Sequence, residues 1–287
     1  IDYPDFNWRL AARAKERGIP VFSYIPPSAW AWRKGRAKSC AALADEIVAI
    51  FPHELPPYEA AGANISFVGN PLIDTVRAEM EPEEACRHFG IEENDVPILL
   101  MPGSRCEEIE RLLPPMLGAA EILQTRDPAR HFFLPVAGGV DEQRIEEHLA
   151  ASPVEVTLTH DARYALMKAA RAAIAASGTV VMEAAVMGLP AVVLYRMSAL
   201  SYFVGRLLVD VPRFSLPNIL LGETFETELL QGAVQPERIA AAMEPIIADG
   251  EARSYVMERL ARAVEMLGEP HAARRVAEKI IALGRRV

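Results

Sequence analysis

Short apolar runs recur along the chain and alternate with longer stretches whose apolar positions fall three and four residues apart. The runs at 21–25, 47–51, 65–68, 98–101, 132–136, 154–158, 172–175 and 191–195 predict strands, because each is too short for a globular helix. Helical spacing predicts helices over 107–124, 161–170, 179–187 and 198–209. Pro114 and Pro115 fall inside the first of these, where the missing N–H and the ring's clash predict a kink or a restart. After Asn218 the strand signal stops, and 224–231, 236–248, 251–267 and 270–283 read as helices alone. Strand and helix in alternation predict an α/β fold, a parallel sheet with helices on both faces, followed by a helical tail. Gly69-Asn70-Pro71, then an acidic stretch to Glu84, predicts a domain boundary that divides the chain into 1–70 and 71–287.

Composition narrows the class of function. Of the 287 residues 51% are apolar, enough for a sizeable core. The net charge of −9 argues against a general nucleic-acid binder, which needs a basic field to displace counterions from phosphates. The opening stretch departs from that balance: Arg9, Arg13, Lys15, Arg17, Arg33, Lys34, Arg36 and Lys38 meet few acids, and read equally as a face for an anionic surface or as a solvated one. Cys40, Cys86 and Cys106 are odd in number and unpatterned, which fits neither a disulfide framework nor a zinc site and suits a reducing cytoplasm. No apolar run reaches the roughly 20 residues of a membrane-spanning helix, so any membrane contact is expected to be peripheral. Ile1 in place of Met gives the expectation that the sequence begins in mid-protein.

Two strand-to-helix junctions carry the candidate chemistry. In the first, an apolar strand runs into Pro102-Gly103-Ser104-Arg105, which places backbone N–H groups and a guanidinium where open α/β sheets bind ligands. Arg105 can hold two diphosphate oxygens at once; an ordinary turn with an exposed Arg is an equal reading from spacing alone. In the second, Ser177-Gly178-Thr179, Ser177 reads as an N-cap and Gly178 permits close backbone approach. Glu183, four residues beyond Thr179, shares its helical face and could accept hydrogen bonds from a ribose diol, or be a silent Glu favoured by the helix dipole. Asn218, in what reads as an apolar loop over 214–222, must satisfy loop backbone or reach a ligand. Asp2 follows an expected strand end and is a candidate base for an attacking hydroxyl or a solvated carboxylate. Trp30, Trp32 and Arg33 suit anionic lipid or an acylated phosphosugar; plain core packing accounts for at least one of the two rings. There is no Asp-x-Asp pair and no metal-ligand spacing of histidines, so neither a metal nor a cofactor is expected.

Taken together, Ile1-Asp-Tyr-Pro-Asp-Phe-Asn7, Ser28-Ala-Trp-Ala-Trp-Arg33, Pro102-Gly-Ser-Arg105 with Glu108 and Glu110, Ser177-Gly-Thr179 with Glu183, Tyr195-Arg-Met197 and Ser215-Leu-Pro-Asn218 resemble the lipid-A-disaccharide synthases, in that family's order over the first three quarters of the chain. The resemblance implies a GT-B fold: a remnant of the acceptor-side Rossmann-like domain over 1–70, and a complete UDP-sugar domain with helical tail over 71–287. It implies metal-independent, inverting transfer of 2,3-diacylglucosamine from UDP to 2,3-diacylglucosamine 1-phosphate. Asp2 matches an aspartate that is a plausible general base, Arg105 and Asn218 match other positions the family needs, and Glu183 matches the ribose carboxylate. Gly103, Ser104, Ser177, Gly178 and Thr179 complete the expected nucleotide site, with Trp30, Trp32 and Arg33 on the acceptor or membrane side. The resemblance further implies a cytoplasmic protein, peripheral on the inner face of the inner membrane, with pairing of two copies an option. The chain departs from the family in carrying Asn70 where a histidine is usual, and in lacking the glycine-rich opening of the acceptor domain, so this chain alone is expected to be catalytically dead or very weak while keeping part of the UDP site. Two other readings fit the same junctions: another UDP-N-acetylglucosamine enzyme, transferase or 2-epimerase, and a non-catalytic nucleotide-sugar-binding remnant.

Overall fold

A computed structural model describes residues 3–31, 35–198 and 212–285. In chain order the elements are α1 (Pro4–Glu16), β1 (Phe22–Tyr24), α2 (Arg36–Leu43), β2 (Glu46–Ala49), α3 (Leu55–Glu59), β3 (Ile65–Phe67), α4 (Leu72–Thr75), α5 (Pro82–Phe89) and β4 (Val96–Met101). There follow α6 (Cys106–Arg126), β5 (Arg130–Pro135), α7 (Glu142–Ala150), β6 (Val156–Thr159), α8 (Arg163–Ala169), β7 (Ala172–Ala176), α9 (Thr179–Val186) and β8 (Ala191–Tyr195). The last are α10 (Leu216–Leu221), β9 (Glu228–Leu230), α11 (Pro236–Ile247), α12 (Glu251–Glu265) and α13 (Ala272–Gly284). Two compact units result, one of the described residues within 3–75 and 265–285, the other of those within 76–198 and 212–264.

The first unit is built on a parallel sheet in the order β1-β2-β3. Its middle strand is buried along its whole length, which is why Ile47-Val48-Ala49 shows no alternation. Tyr58, Cys40 and Ala37 pack with Ile47 in its core. This unit runs past the expected boundary at residue 70, and it takes back the end of the tail. Arg275 donates from Nε to the Val68 carbonyl at 2.7 Å, Lys279 reaches Glu46 at 2.7 Å, and the Asp74 carboxylate accepts from the N–H groups of His271 and Ala272 at the start of α13. Gly69 sits at φ +104°, where a Cβ would stand 2.8 Å from Arg275 Nη2 and 2.9 Å from the Glu269 carbonyl, so that crossing requires glycine.

The second unit holds six parallel strands in the order β6-β5-β4-β7-β8-β9. Successive strands step outward from β4 to β6, then the chain returns to lay β7 on the other side of β4. That reversal makes the crevice beyond the carboxyl ends of β4 and β7 the position where such sheets take ligands. The register sets Leu100 opposite Ile174 and Met101 opposite Ala175. Helices cover both faces, so β4, β7 and β8 are near-continuous apolar runs. On one face Leu99, Met101, Ala173, Ala175 and Val193 pack with Leu166, Val181 and Ala184 from α8 and α9.

The parallel α/β architecture agrees with the expectation, and the eight predicted strands fall within about two residues of those observed, the usual boundary error. Three local expectations do not hold. The helix expected over 224–231 is replaced by β9, which pairs with β8 through Val193 and Glu228; a short apolar run cannot distinguish the two states, and an open strand edge decided it. The loop expected over 214–222 contains α10, with Pro217 in its first turn and Gly222 at φ +73° ending it. Pro114 and Pro115 do not divide α6, which is one 21-residue helix. The helix expected at 198–209 lies outside the described residues except for Ser198. Among the described residues no helix is long and apolar enough to cross a membrane.

Candidate functional site

After β4 the chain turns through Gly103, at φ +107°, into α6. Glu108, in the helix's first turn, reaches back so that its Oε2 accepts from the N–H groups of Ser104 and Arg105 at 3.1 and 3.2 Å, and its Oε1 from Arg105 Nη1 at 2.6 Å. This corrects one expectation: the backbone N–H groups of Ser104 and Arg105 are already bonded to a carboxylate rather than open to phosphate. What the corner presents is the Arg105 side chain, 79% exposed.

The β7–α9 corner stands beside it, one strand spacing away, about 4.8 Å. Ser177 is not the N-cap; its Oγ donates to the Phe214 carbonyl at 2.8 Å, and Gly178 takes the cap position in extended backbone. No side chain caps α9, and Gly178 and Thr179 are exposed, so its first N–H groups and dipole face outward. Glu183 is 13% exposed and lies 3.3 Å from Arg163 Nη2. Arg163 begins α8, after the left-handed Ala162 at the end of the β6 loop, and its guanidinium also contacts the ring and hydroxyl of Tyr164. Glu183 is thus held at the ligand end of the sheet by a neighbouring cation that the pattern of the sequence did not single out.

The segment from Phe214 to Gln231 closes the next side of the crevice. Asn218 is fully buried: its Nδ2 donates to the Glu226 carbonyl and to Glu228 Oε1 at 2.9 and 2.8 Å, and its Oδ1 accepts from the N–H groups of Phe225 and Glu226 at 3.0 and 3.1 Å. An amide offers two donors and two lone pairs, and all four are spent. Direct contact of Asn218 with a ligand, as expected, is therefore not available; the side chain fixes the loop. Glu228 accepts from Phe214 N and Ser215 N, both at 3.0 Å, and Ser215 Oγ lies 3.0 Å from Glu226 Oε2. Burial pushes the Glu226 carboxyl up to about 8, against the hydrogen bonds from Ser215 and Ala191 and with the Glu228 charge adding to the rise. Gln231, at φ +52°, bonds through its side chain to both the N–H and the carbonyl of Met197. These carboxylates and this glutamine were missed; two glutamates within an apolar run were the signal that could have found them.

Of the remaining candidates, Asp2, Trp32 and Arg33 lie outside the described residues. Trp30 packs edge-on against His53 with ring centroids 4.7 Å apart, a packing role. Asn70 is buried, donating to the Ile50 carbonyl at 2.9 Å and accepting from Leu72 N at 2.9 Å, so it serves the fold of the first unit.

A reversed-order parallel sheet brings a cationic corner, an uncapped helix start and a part-buried carboxylate together at one end, a set suited to an anionic ligand with hydroxyl groups, and comparison with known proteins gives the chain a family. The family described as lipid-A-disaccharide synthetase matches residues 1–281. The chain belongs to that family. The lipid-A-disaccharide synthase of Syntrophus aciditrophicus (strain SB) is 45% identical over 284 residues, covering 99% of this chain and 74% of that protein. That of Geobacter sulfurreducens is 41% identical over 288 residues, covering 100% and 75%. Among solved structures, the UDP-GlcNAc 2-epimerase of Neisseria meningitidis bound to UDP-GlcNAc aligns with a TM-score of 0.66 at 15% identity, over 96% of this chain and 73% of that one. MurG of Acinetobacter baumannii aligns at 0.54 and 15%, over 93% and 68%. At such identities these likenesses speak for the fold alone, and that fold is the expected GT-B type. Family membership makes the protein a glycosyltransferase.

Proposed function

We propose that the protein moves a 2,3-diacylglucosamine unit from UDP to the 6-hydroxyl of 2,3-diacylglucosamine 1-phosphate, with inversion and release of UDP, in lipid A biosynthesis. The observation that carries this reading is the adjacency of the β4 and β7 corners at the sheet's reversal point, within a chain of this family. The Arg105 guanidinium and the uncapped start of α9 offset the charge that develops on the leaving diphosphate, the term that usually dominates such catalysis. Gly103 and Gly178 allow close approach at the two turns, Ser104 and Thr179 line them, and Ser177 ties the second turn to Phe214. Glu183 accepts the ribose hydroxyls, and Asn218 acts as a positioning residue that sets the 214–228 wall. Asp2 is the base that takes the proton of the attacking hydroxyl. Because both substrates carry acyl chains, the protein works as a peripheral enzyme on the cytoplasmic face of the inner membrane, with Trp32 and Arg33 on that side.

Transfer between the two acylated sugars, followed as disaccharide 1-phosphate formed, tests the reading. Arg105→Ala should weaken UDP binding by about 1.5–3 kcal/mol, the range for a hydrogen bond to a charged group, which is roughly ten- to a hundredfold in Kd by calorimetry. Asp2→Asn should abolish transfer and spare UDP binding; normal transfer by that variant would remove the base assignment while leaving the nucleotide site intact.

A further inference from the structure

The β4–α6 corner already holds an anion of its own. Glu108 gathers the N–H groups of Ser104 and Arg105 on one oxygen and Arg105 Nη1 on the other. Its side chain is 25% exposed, against 79% for Arg105. Gly103 completes the fit, because a Cβ there would collide with Glu108 Oε2. Turn, glycine and carboxylate are matched to one another, and the guanidinium projects from them into solvent.

A carboxylate in this place has two conceivable effects on a bound diphosphate: it competes for the donors, or it holds the guanidinium ready. The geometry separates them. Nη1 lies across the guanidinium from the edge formed by Nε and Nη2, so a bond there leaves that fork free of Glu108, and among the described residues the fork makes no other hydrogen bond. A fork of two parallel N–H groups is the arrangement that matches two phosphate oxygens. Withdrawing Glu108 would also strip two backbone N–H groups of their acceptor, which ties its position to the fold of the turn. A long exposed Arg without an anchor must be ordered when ligand binds, and that ordering weakens binding. We infer that Glu108 is the positioning residue of Arg105, holding one edge of the guanidinium so that the other edge receives the diphosphate of a UDP-sugar. This rests on the diphosphate reading of Arg105 given above.

The test is a double-substitution cycle read by UDP titration calorimetry on the unmodified chain, Arg105→Ala, Glu108→Ala, Glu108→Gln and the Arg105→Ala/Glu108→Ala pair, with melting temperatures taken in parallel. Glu108→Ala should weaken UDP about three- to tenfold, the cost of ordering one long side chain. Glu108→Gln, which keeps the shape and one acceptor, should fall between that variant and the unmodified chain and carries the test if the alanine variant does not fold. In the Arg105→Ala background the loss of Glu108 should cost nothing further. An equal loss in both backgrounds would mean that Glu108 acts only through the fold, and tighter UDP binding without its charge would mean that it competes; either overturns the inference. Unchanged UDP binding by Arg105→Ala alone would instead remove the diphosphate reading beneath it.

Discussion

Glu226 and His53 are buried titratable groups with opposite consequences for acid and base. The Glu226 carboxyl, with an ordinary value of 4.5, ionises near 8 in the fold because burial penalises its charge. Below about 4.5 both folded and unfolded forms are protonated; between 4.5 and 8 the unfolded chain releases the proton while the fold keeps it, so stability falls by roughly 1.4 kcal/mol per pH unit as pH rises. Glu226→Gln can keep both contacts, accepting from Ala191 N and donating to Ser215, without a charge. It should therefore melt higher than the unmodified chain at pH 8, the difference closing by pH 5. For His53 burial lowers the imidazole from 6.5 to about 4, so the unfolded chain takes up a proton first and stability falls as pH drops from 6.5 toward 4. Its Nδ1 is buried without a partner among the described residues, and its ring stacks on Phe51 and meets the edge of Trp30. His53→Phe preserves that packing, so it should flatten the acid limb; hydrogen exchange of β2 and β3 across that range is the measurement, and an unchanged slope would show that the proton lands elsewhere. At this scale the sequence was readable where chemistry is local, as for Arg105 in its turn. It was unreadable for Asn218, whose use depended on segments eight and ten residues away folding back on it.

Among elements, two junctions show how strands and helices of the larger sheet are held together. At the β4–α6 turn, Gly103→Ala would force a side chain into a left-handed backbone and against the Glu108 carboxylate, so a loss of about 1–3 kcal/mol in stability is expected together with weaker UDP binding. A variant with a normal melting temperature and normal UDP affinity would show that the turn can move aside. At the far side of the sheet, Arg130 at the start of β5 is 9% exposed and grips Glu244 of α11 through two bonds of 2.9 and 2.8 Å, while Arg126 at the end of α6 reaches the same carboxylate. Removing the acid leaves the buried guanidinium with only the Leu123 carbonyl and a 3.6 Å ion pair to Asp127, so Glu244→Ala should cost roughly 2 kcal/mol in chemical denaturation, beyond an exposed ion pair. Strand and helix spacing made most of these elements legible. The exceptions, α10 and β9, are short pieces whose state was chosen by neighbours: Glu228 pairs with an open strand edge and its side chain holds the start of α10.

For the whole molecule, the division of the chain is not a cut at one point. The last helix belongs with the first 75 residues, tied there by Arg275, Lys279 and Asp74. Ending the chain after residue 264 should therefore expose the three-stranded sheet while leaving the six-stranded sheet protected, as read by segment-resolved hydrogen exchange. Equal loss of protection in both sheets would contradict that division.

What the sequence by itself determined is the parallel α/β plan and the two glycine-bearing strand-to-helix corners, because apolar periodicity and a glycine-bearing turn are local properties that a strand and helix carry wherever they are placed. Only the tertiary structure decided which donors are open. The reversal of strand order brings the corners side by side, Glu108 and Asn218 show their hydrogen bonds already satisfied, and Arg163 arrives beside Glu183 from another loop. Hydrogen bonds and ion pairs saturate through space, and the partner that saturates them is fixed by the fold rather than by position along the chain.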